Sequence, residues 1–302
     1  MSKIEQLINR VSGGVSPAMA TPLAADGQTV KLPAVDQLVD FLIAAGVKGL
    51  FVGGTTGEGI LLAMEQRQTL HERAVRAIGG RVPALLHVGA NTTAESVILA
   101  RHARSLEADA IVAVTPTFYP VHDPALAAYY ADLAAAAPDT PLLAYDIPHM
   151  AVNGVSPALL ADLAANLPTF AGIKTSNGDA QVIRQLIDAA GPGQLVLAGN
   201  ERIALGSLSL GAAGLISGLS TAVPEPFVRL TDAFFAGDIA RAQEEQKRIN
   251  VFLDLIPPGA RIGALKSLLE QRGIDIGPPV PPRPVVKTKE WPAWSQIAQR
   301  LE

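Results

Sequence analysis

The 302-residue chain has no cysteine, which excludes a disulfide framework and any thiol nucleophile. Charge is also sparse: 17% of residues are charged and the formal net charge is −4. With no basic cluster interleaved with aromatics, a nucleic-acid surface is not expected. Apolar runs are broken by charge, glycine or proline well short of the roughly 18 residues that a membrane-spanning helix needs. The opening Met1-Ser2-Lys3-Ile4-Glu5 has no secretory apolar core. A soluble, cytoplasmic globular protein with no membrane partner is the expectation. Short signatures are missing too. No GxGxxG follows the first β-like run, and no P-loop GxxxxGK[ST] or GxSxG elbow occurs. The five histidines form neither HxH nor HExxH, so no metal site is expected.

What the chain does have is apolar substance, 49% of its residues, enough to bury a large core. Short apolar runs bounded by glycine or proline recur at intervals of roughly 25 to 35 residues, the length of a strand–helix unit. They are Val15–Thr21, Gly49–Gly53, Ala84–Gly89, Ala110–Thr115, Leu142–Asp146, Gly172–Lys174, Leu195–Gly199 and Gly214–Ser217. Segments of helical period lie between most of them. Ala94–Glu107 is introduced by a capping-box pattern at Thr92 and Glu95, and Pro157–Asn166 by a Ser156 cap. Eight such units are the count of a (β/α)8 TIM barrel, an α/β fold, although periodicity alone leaves an open doubly wound sheet in play. Residues 1–223 are read as the barrel. Residues 224–302 are read as C-terminal helices packed on it as one structural unit, with a Pro-rich stretch at 277–284 and a short helix near 291–301.

In a barrel, chemistry belongs at the C-terminal ends of the strands. Of eight lysines, only Lys174 closes a strand; Lys266 and most others are assigned to helix surfaces, loops or termini. Desolvation disfavours an ammonium ion, so a buried strand-end lysine is a candidate nucleophile. A solvated gatekeeper is the ordinary alternative. The second run ends Gly54-Thr55-Thr56-Gly57-Glu58, a turn whose adjacent hydroxyls and exposed N–H groups suit a carboxylate, or are simply a β-to-α turn. The fifth ends Tyr145-Asp146-Ile147-Pro148, where Tyr145 is either a proton shuttle or a satisfied core tyrosine. His87 is read as a satisfied strand histidine, 211–218 as close strand–helix packing, and Glu244–Arg248 as a solvated helix face.

Taken in order, Gly54-Thr55-Thr56-Gly57-Glu58, Thr115-Pro116 with Tyr119-Pro120, Tyr145-Asp146-Ile147-Pro148 and Gly172-Ile173-Lys174 resemble a known family. It is the pyruvate-dependent class I aldolases and lyases of dihydrodipicolinate synthase and N-acetylneuraminate lyase, and the similarity runs from about Val15 to Gly218. The resemblance implies that Lys174 forms a Schiff base with a 2-keto acid, that Tyr145 carries protons, and that Thr55 relays them. It implies a substrate pocket from Thr56, Gly54, Gly199 and Ile216, with Ser176, Asn200, Glu201 and His149 available to hydroxyls. No cofactor is implied, and a homotetramer built as a dimer of dimers is.

Three departures shape the expected substrate. No arginine follows Tyr145, where aspartate-semialdehyde synthases resembling this chain carry one. Phe118 falls where many relatives have a relay tyrosine, so either Tyr119 takes over or the relay is shorter. Gly218 falls where sialic-acid lyases place a hydroxyl. The expectation is therefore a lyase, aldolase or dehydratase, acting on a 2-keto-3-deoxy sugar acid. The alternatives are 4-hydroxy-tetrahydrodipicolinate synthase or a non-catalytic 2-keto acid binding barrel.

Overall fold

The computed structural model describes residues 1–287, and the helix expected near 291–301 lies outside them. Helix α1 (Lys3–Val11) precedes the first strand, its start fixed by a reciprocal capping box between Ser2 and Glu5. Eight parallel strands follow where the sequence places them: β1 (Val15–Pro17), β2 (Leu50–Val52), β3 (Ala84–His87), β4 (Ala110–Val114), β5 (Leu142–Asp146), β6 (Phe170–Thr175), β7 (Leu195–Ala198) and β8 (Gly214–Ser217). They pair in the order β1-β8-β7-β6-β5-β4-β3-β2. A bridge between Ala18 and Phe51 joins β1 to β2 and makes a nearly closed TIM barrel. The open doubly wound sheet is thereby excluded.

One helix follows each strand: α2 (Leu32–Ala44), α3 (Met64–Ile78), α4 (Thr93–Ser105), α5 (Asp123–Ala136), α7 (Pro157–Asn166), α8 (Ala180–Ala190), α9 (Ala204–Leu210) and α10 (Glu225–Phe235). A single turn, α6 (Pro148–Ala151), stands between β5 and α7. Ser156 caps α7 by accepting from the Leu159 N–H at 3.0 Å. At α4 the box is half made. Thr92 accepts from the Glu95 N–H, but the Glu95 carboxylate takes the Thr92 hydroxyl rather than its backbone.

Two apolar layers result. Outward strand residues such as Val52, Leu86, Ile111 and Ile173 pack under the helices. Inward ones, including Phe51, Leu85, Val112, Leu143 and Leu197, fill the barrel together with Leu7 and Val11 of α1, which plugs its N-terminal end. Burying those two side chains contributes about 1.5–3 kcal/mol each.

The inward–outward alternation breaks once, on β6. Leu142 pairs with Phe170 but Leu143 pairs with Gly172, so Ala171 is an extra residue. This bulge resets the phase: Ala171 faces the interior, Ile173 the outer layer, and Lys174 the interior again. Gly172 is required there because its φ is +133° and a Cβ would run into the Leu195 backbone.

Helices α11 (Ile239–Leu255) and α12 (Arg261–Gln271) complete the described chain, and they correct two sequence readings. The run Glu244–Arg248 is not uniformly solvated. Glu244 and Lys247 are exposed, whereas Glu245 is buried and accepts from Arg229 at 2.9 Å and Arg248 at 2.5 Å. Successive residues point in different directions around a helix, so five polar residues in a row cannot all face solvent on a packed one. Lys266 is not on a helix surface either. It is buried, 3.0 Å from Glu58 Oε2, and donates to the Pro278 carbonyl at 2.7 Å. Glu58 Oε1 accepts the Val280 N–H at 2.8 Å, tying the Pro-rich segment to the turn after β2. Among the described residues no helix is long and apolar enough to cross a membrane, and no three acidic or histidine side chains cluster as a metal site.

Candidate active site

Because Tyr145 and Lys174 are register partners on β5 and β6, their side chains enter the barrel mouth side by side. The Lys174 Nζ lies 3.8 Å from the centre of the Tyr145 ring and 4.6 Å from that of Phe51. Lys174 is only 4% exposed, in contrast to an ordinary gatekeeper lysine. The Tyr145 hydroxyl is 3.0 Å from Thr55 Oγ1, which the turn after β2 delivers. Amine, phenol and secondary alcohol thus stand in sequence.

Beneath them, His87 on β3 meets Phe51 and Tyr145 edge to face, with ring centres 5.9 and 6.1 Å apart. Arg67 on α3 reaches its Nδ1 at 3.2 Å and its carbonyl at 2.9 Å. Burial foremost, then the neighbouring cations Arg67 and Lys174, holds His87 well below the ordinary histidine range. It is therefore a neutral, satisfied histidine, as its strand context indicated. Asp146, on the other face of β5, accepts from Thr175 Oγ1 at 2.7 Å and from the Val155 N–H at 3.1 Å. Burial raises its carboxyl above the usual range despite those bonds.

A cavity of about 540 Å³ opens above Lys174. Thr55, Thr56, Tyr145 and Lys174 line it from one set of strand ends, and Ser176, Gly199, Asn200 and Ile216 from the next. Two residues named from the sequence are not brought there. Gly54 lies against the Phe51 ring, and Tyr119 is 72% exposed, stacked edge to face on Phe118 at 4.9 Å. Phe118 has a φ of +77°, so both aromatics project outward from the loop after β4. Asn153 holds that loop by donating to the Pro116 and Tyr119 carbonyls and accepting the Val121 N–H.

The sequence reading missed three cationic residues of the cavity: Arg202, Arg261 and Arg283. Arg261 opens α12 and donates to Glu201 Oε1 at 2.7 Å. The same oxygen accepts the Gly218 and Leu219 N–H groups at 2.9 Å and the Ser217 hydroxyl at 3.2 Å. Glu201 is thus a fastening of the site rather than a free carboxylate. One signal was available: Arg261 is the single charge in the otherwise apolar run from Ile256 to Leu265.

The matches to known proteins agree with this geometry. The model of the dihydrodipicolinate synthetase family matches residues 11–301. An uncharacterised DapA-like lyase of Halobacterium salinarum is 35% identical over 265 residues, covering 88% of this chain and 86% of the relative. A 4-hydroxy-tetrahydrodipicolinate synthase of an Exiguobacterium species is 32% identical over 287 residues, 95% of this chain and 97% of the relative. The solved structure of the Ruminococcus gnavus sialic acid aldolase superposes with a TM-score of 0.91 at 28% identity, over 97% of both chains. A family match across nearly the whole chain, on a barrel of this topology, leaves one assignment: the chain belongs to the dihydrodipicolinate synthetase family, a family of class I lyases.

Proposed function

We propose that the protein is a Schiff-base lyase, aldolase or dehydratase, acting on a 2-keto-3-deoxy sugar acid. The observation that carries this reading is the buried Lys174 amine against Tyr145, whose hydroxyl is in turn paired with Thr55. Lys174 Nζ, as the free amine, attacks the C2 carbonyl. The carbinolamine loses water, with Tyr145 supplying the proton that lets hydroxide leave. The protonated imine then draws electrons from C3. In cleavage, the C4 hydroxyl gives up its proton, the C3–C4 bond breaks, and an aldehyde departs from an enamine. Protonation of C3 and hydrolysis of the imine release pyruvate. In dehydration, C3 loses a proton instead and the C4 hydroxyl leaves as water. Thr55 and Thr56, with the N–H groups of their turn, hold the substrate's C1 carboxylate, while Ser176, Asn200, Gly199 and Ile216 bound the remaining chain.

Synthesis from pyruvate and aspartate semialdehyde is the second reading. It is favoured by arginines in the cavity, which offset the missing arginine after Tyr145. Assembly into a homotetramer belongs to the same proposal and is supported by the exposed Phe118, Tyr119, Met150 and Val152 on a single chain. So does a cytoplasmic setting, with which a cysteine-free sequence agrees.

The decisive experiment is intact mass measurement after incubation with pyruvate and sodium borohydride. The wild-type chain is expected to gain a reduced pyruvate adduct and Lys174→Ala to gain none, while keeping its circular dichroism spectrum. An equal adduct on both proteins would remove Lys174 as nucleophile.

A further inference from the structure

The charged side chains lining the cavity are unbalanced. Among the described residues that line it, Lys174, Arg202, Arg261 and Arg283 stand against one carboxylate, Glu201. Arg202 is matched outside the cavity by Asp254 at 2.8 Å. Arg261 has Glu201, but with only one Nη2 contact, onto an oxygen already shared by two backbone N–H groups and a hydroxyl. Among the described residues Arg283 meets one carboxylate, Glu58, at 3.8 Å, which is beyond hydrogen-bond reach and shared with Lys266 at 3.0 Å. Once Lys174 is an iminium, the substrate's own C1 carboxylate balances it. Arg261 and Arg283 keep guanidinium N–H donors that no hydrogen bond among the described residues takes up, in a wall made by α12 and the Pro-rich segment.

The same wall explains Gly218. A Cβ on that residue would stand 2.5 Å from Thr56 Oγ1, 3.3 Å from Arg261 Nη2 and 3.6 Å from Glu201 Oε1. Three polar groups close over bare backbone: Thr56 takes the space that a side chain at 218 would need, and Arg261 crowds it further. Arginine in such a place presents a planar fork of donors suited to a carboxylate or phosphate, not to an isolated hydroxyl.

We infer that the substrate carries a second anionic group, a carboxylate or phosphate, at the end opposite its 2-keto acid, and that Arg261 and Arg283 bind it. This rests on the Schiff-base reading and narrows its substrate to diacids and their phosphate analogues. An uncharged sugar-acid tail would draw no charge-assisted bond from these part-exposed guanidinium groups and would leave them to water.

The test uses two ketoacids of equal length that differ only at the far end, 2-oxoadipate and 2-oxohexanoate. The concentration giving half-maximal borohydride trapping is read for each by intact mass. Wild type is expected to favour 2-oxoadipate by about tenfold or more, the scale of a charge-assisted hydrogen bond. Arg261→Gln and Arg283→Gln should each lower that ratio by about threefold or more, and the double variant should bring it near one. Arg261→Lys keeps the charge beside Glu201 should the glutamine variant fold poorly, and is expected to retain an intermediate ratio. A matching comparison of 2-keto-3-deoxygluconate with its 6-phosphate tells phosphate from carboxylate. A wild-type ratio near one in both comparisons would overturn the inference. So would variants that weaken both members of a pair equally, since the arginines would then be reading the C1 carboxylate. Pyruvate trapping by wild type, run alongside, separates the two levels: its failure removes the Schiff-base reading itself.

Discussion

Tyr145 touches both the nucleophile and the hydroxyl that would pass on its proton, and no other phenol reaches the cavity among the described residues. Tyr145→Phe keeps the ring against Lys174 and removes only the oxygen. Turnover is expected to fall by roughly 10²- to 10⁴-fold, the range of acid–base help, while borohydride still traps a slowly formed pyruvate imine. A variant as active as wild type would end the proton-shuttle role. At this scale the sequence was informative wherever a residue's place follows from its own strand. Lys174, Tyr145, Thr55 and Thr56 were legible because strand ends in a barrel converge. Arg261 and Arg283 were not, because their approach depends on how α12 and the Pro-rich segment fold back, and no local period encodes that. Lys266 was misplaced for the same reason: its partner Glu58 belongs to the opposite end of the sequence. The Tyr119 side chain, named from the loop after β4, points away from the cavity of its own chain.

The strands and the caps of α1, α4 and α7 are local features, and the eight apolar runs matched the eight strands closely. The bulge on β6 is the one place where a local reading of alternation would fail. Strict alternation from Ala171 would turn Ile173 inward and Lys174 out; the extra residue reverses that, and Gly172 permits it. Gly172→Ala therefore tests whether the bulge aims the nucleophile. Its φ of +133° is strained for any side chain, and a Cβ meets the Leu195 backbone, which cannot yield as a flexible side chain can. The expected result is a lower urea midpoint together with loss of the pyruvate adduct. A folded Gly172→Ala chain that traps pyruvate at the wild-type rate would show that Lys174 is aimed by something other than this backbone.

At the scale of the whole molecule, the barrel and its C-terminal helices share polar contacts that neither part could satisfy alone. Glu58 is held by Lys266 and the Val280 N–H, and Glu201 by Arg261 and, through its carbonyl, Gln246. We propose that they unfold as one unit, in a single urea transition. Its pH dependence follows from two histidines buried between β3, α3 and α4. His71, with neither ring nitrogen hydrogen-bonded, and His87 are both held well below the ordinary value of 6.5, first by burial and then by Arg67. Lys174 presses further on His87 and His102 on His71. Below pH 6.5 the unfolded chain takes up protons on both that the folded chain refuses, so stability falls as pH falls. Stability is therefore expected to be lower at pH 5.5 than at pH 7.5, with both histidines contributing to the loss. Asp146 acts in the opposite sense, since its raised carboxyl holds a proton longer in the folded state, but its window begins lower, near the carboxylate range. Urea midpoints at pH 7.5 and 5.5 check this, and His71→Leu should narrow the difference while keeping the barrel. A midpoint indifferent to that pH interval would mean that the two imidazoles reach protons without unfolding, and that the packed layer between β3 and α3 opens locally.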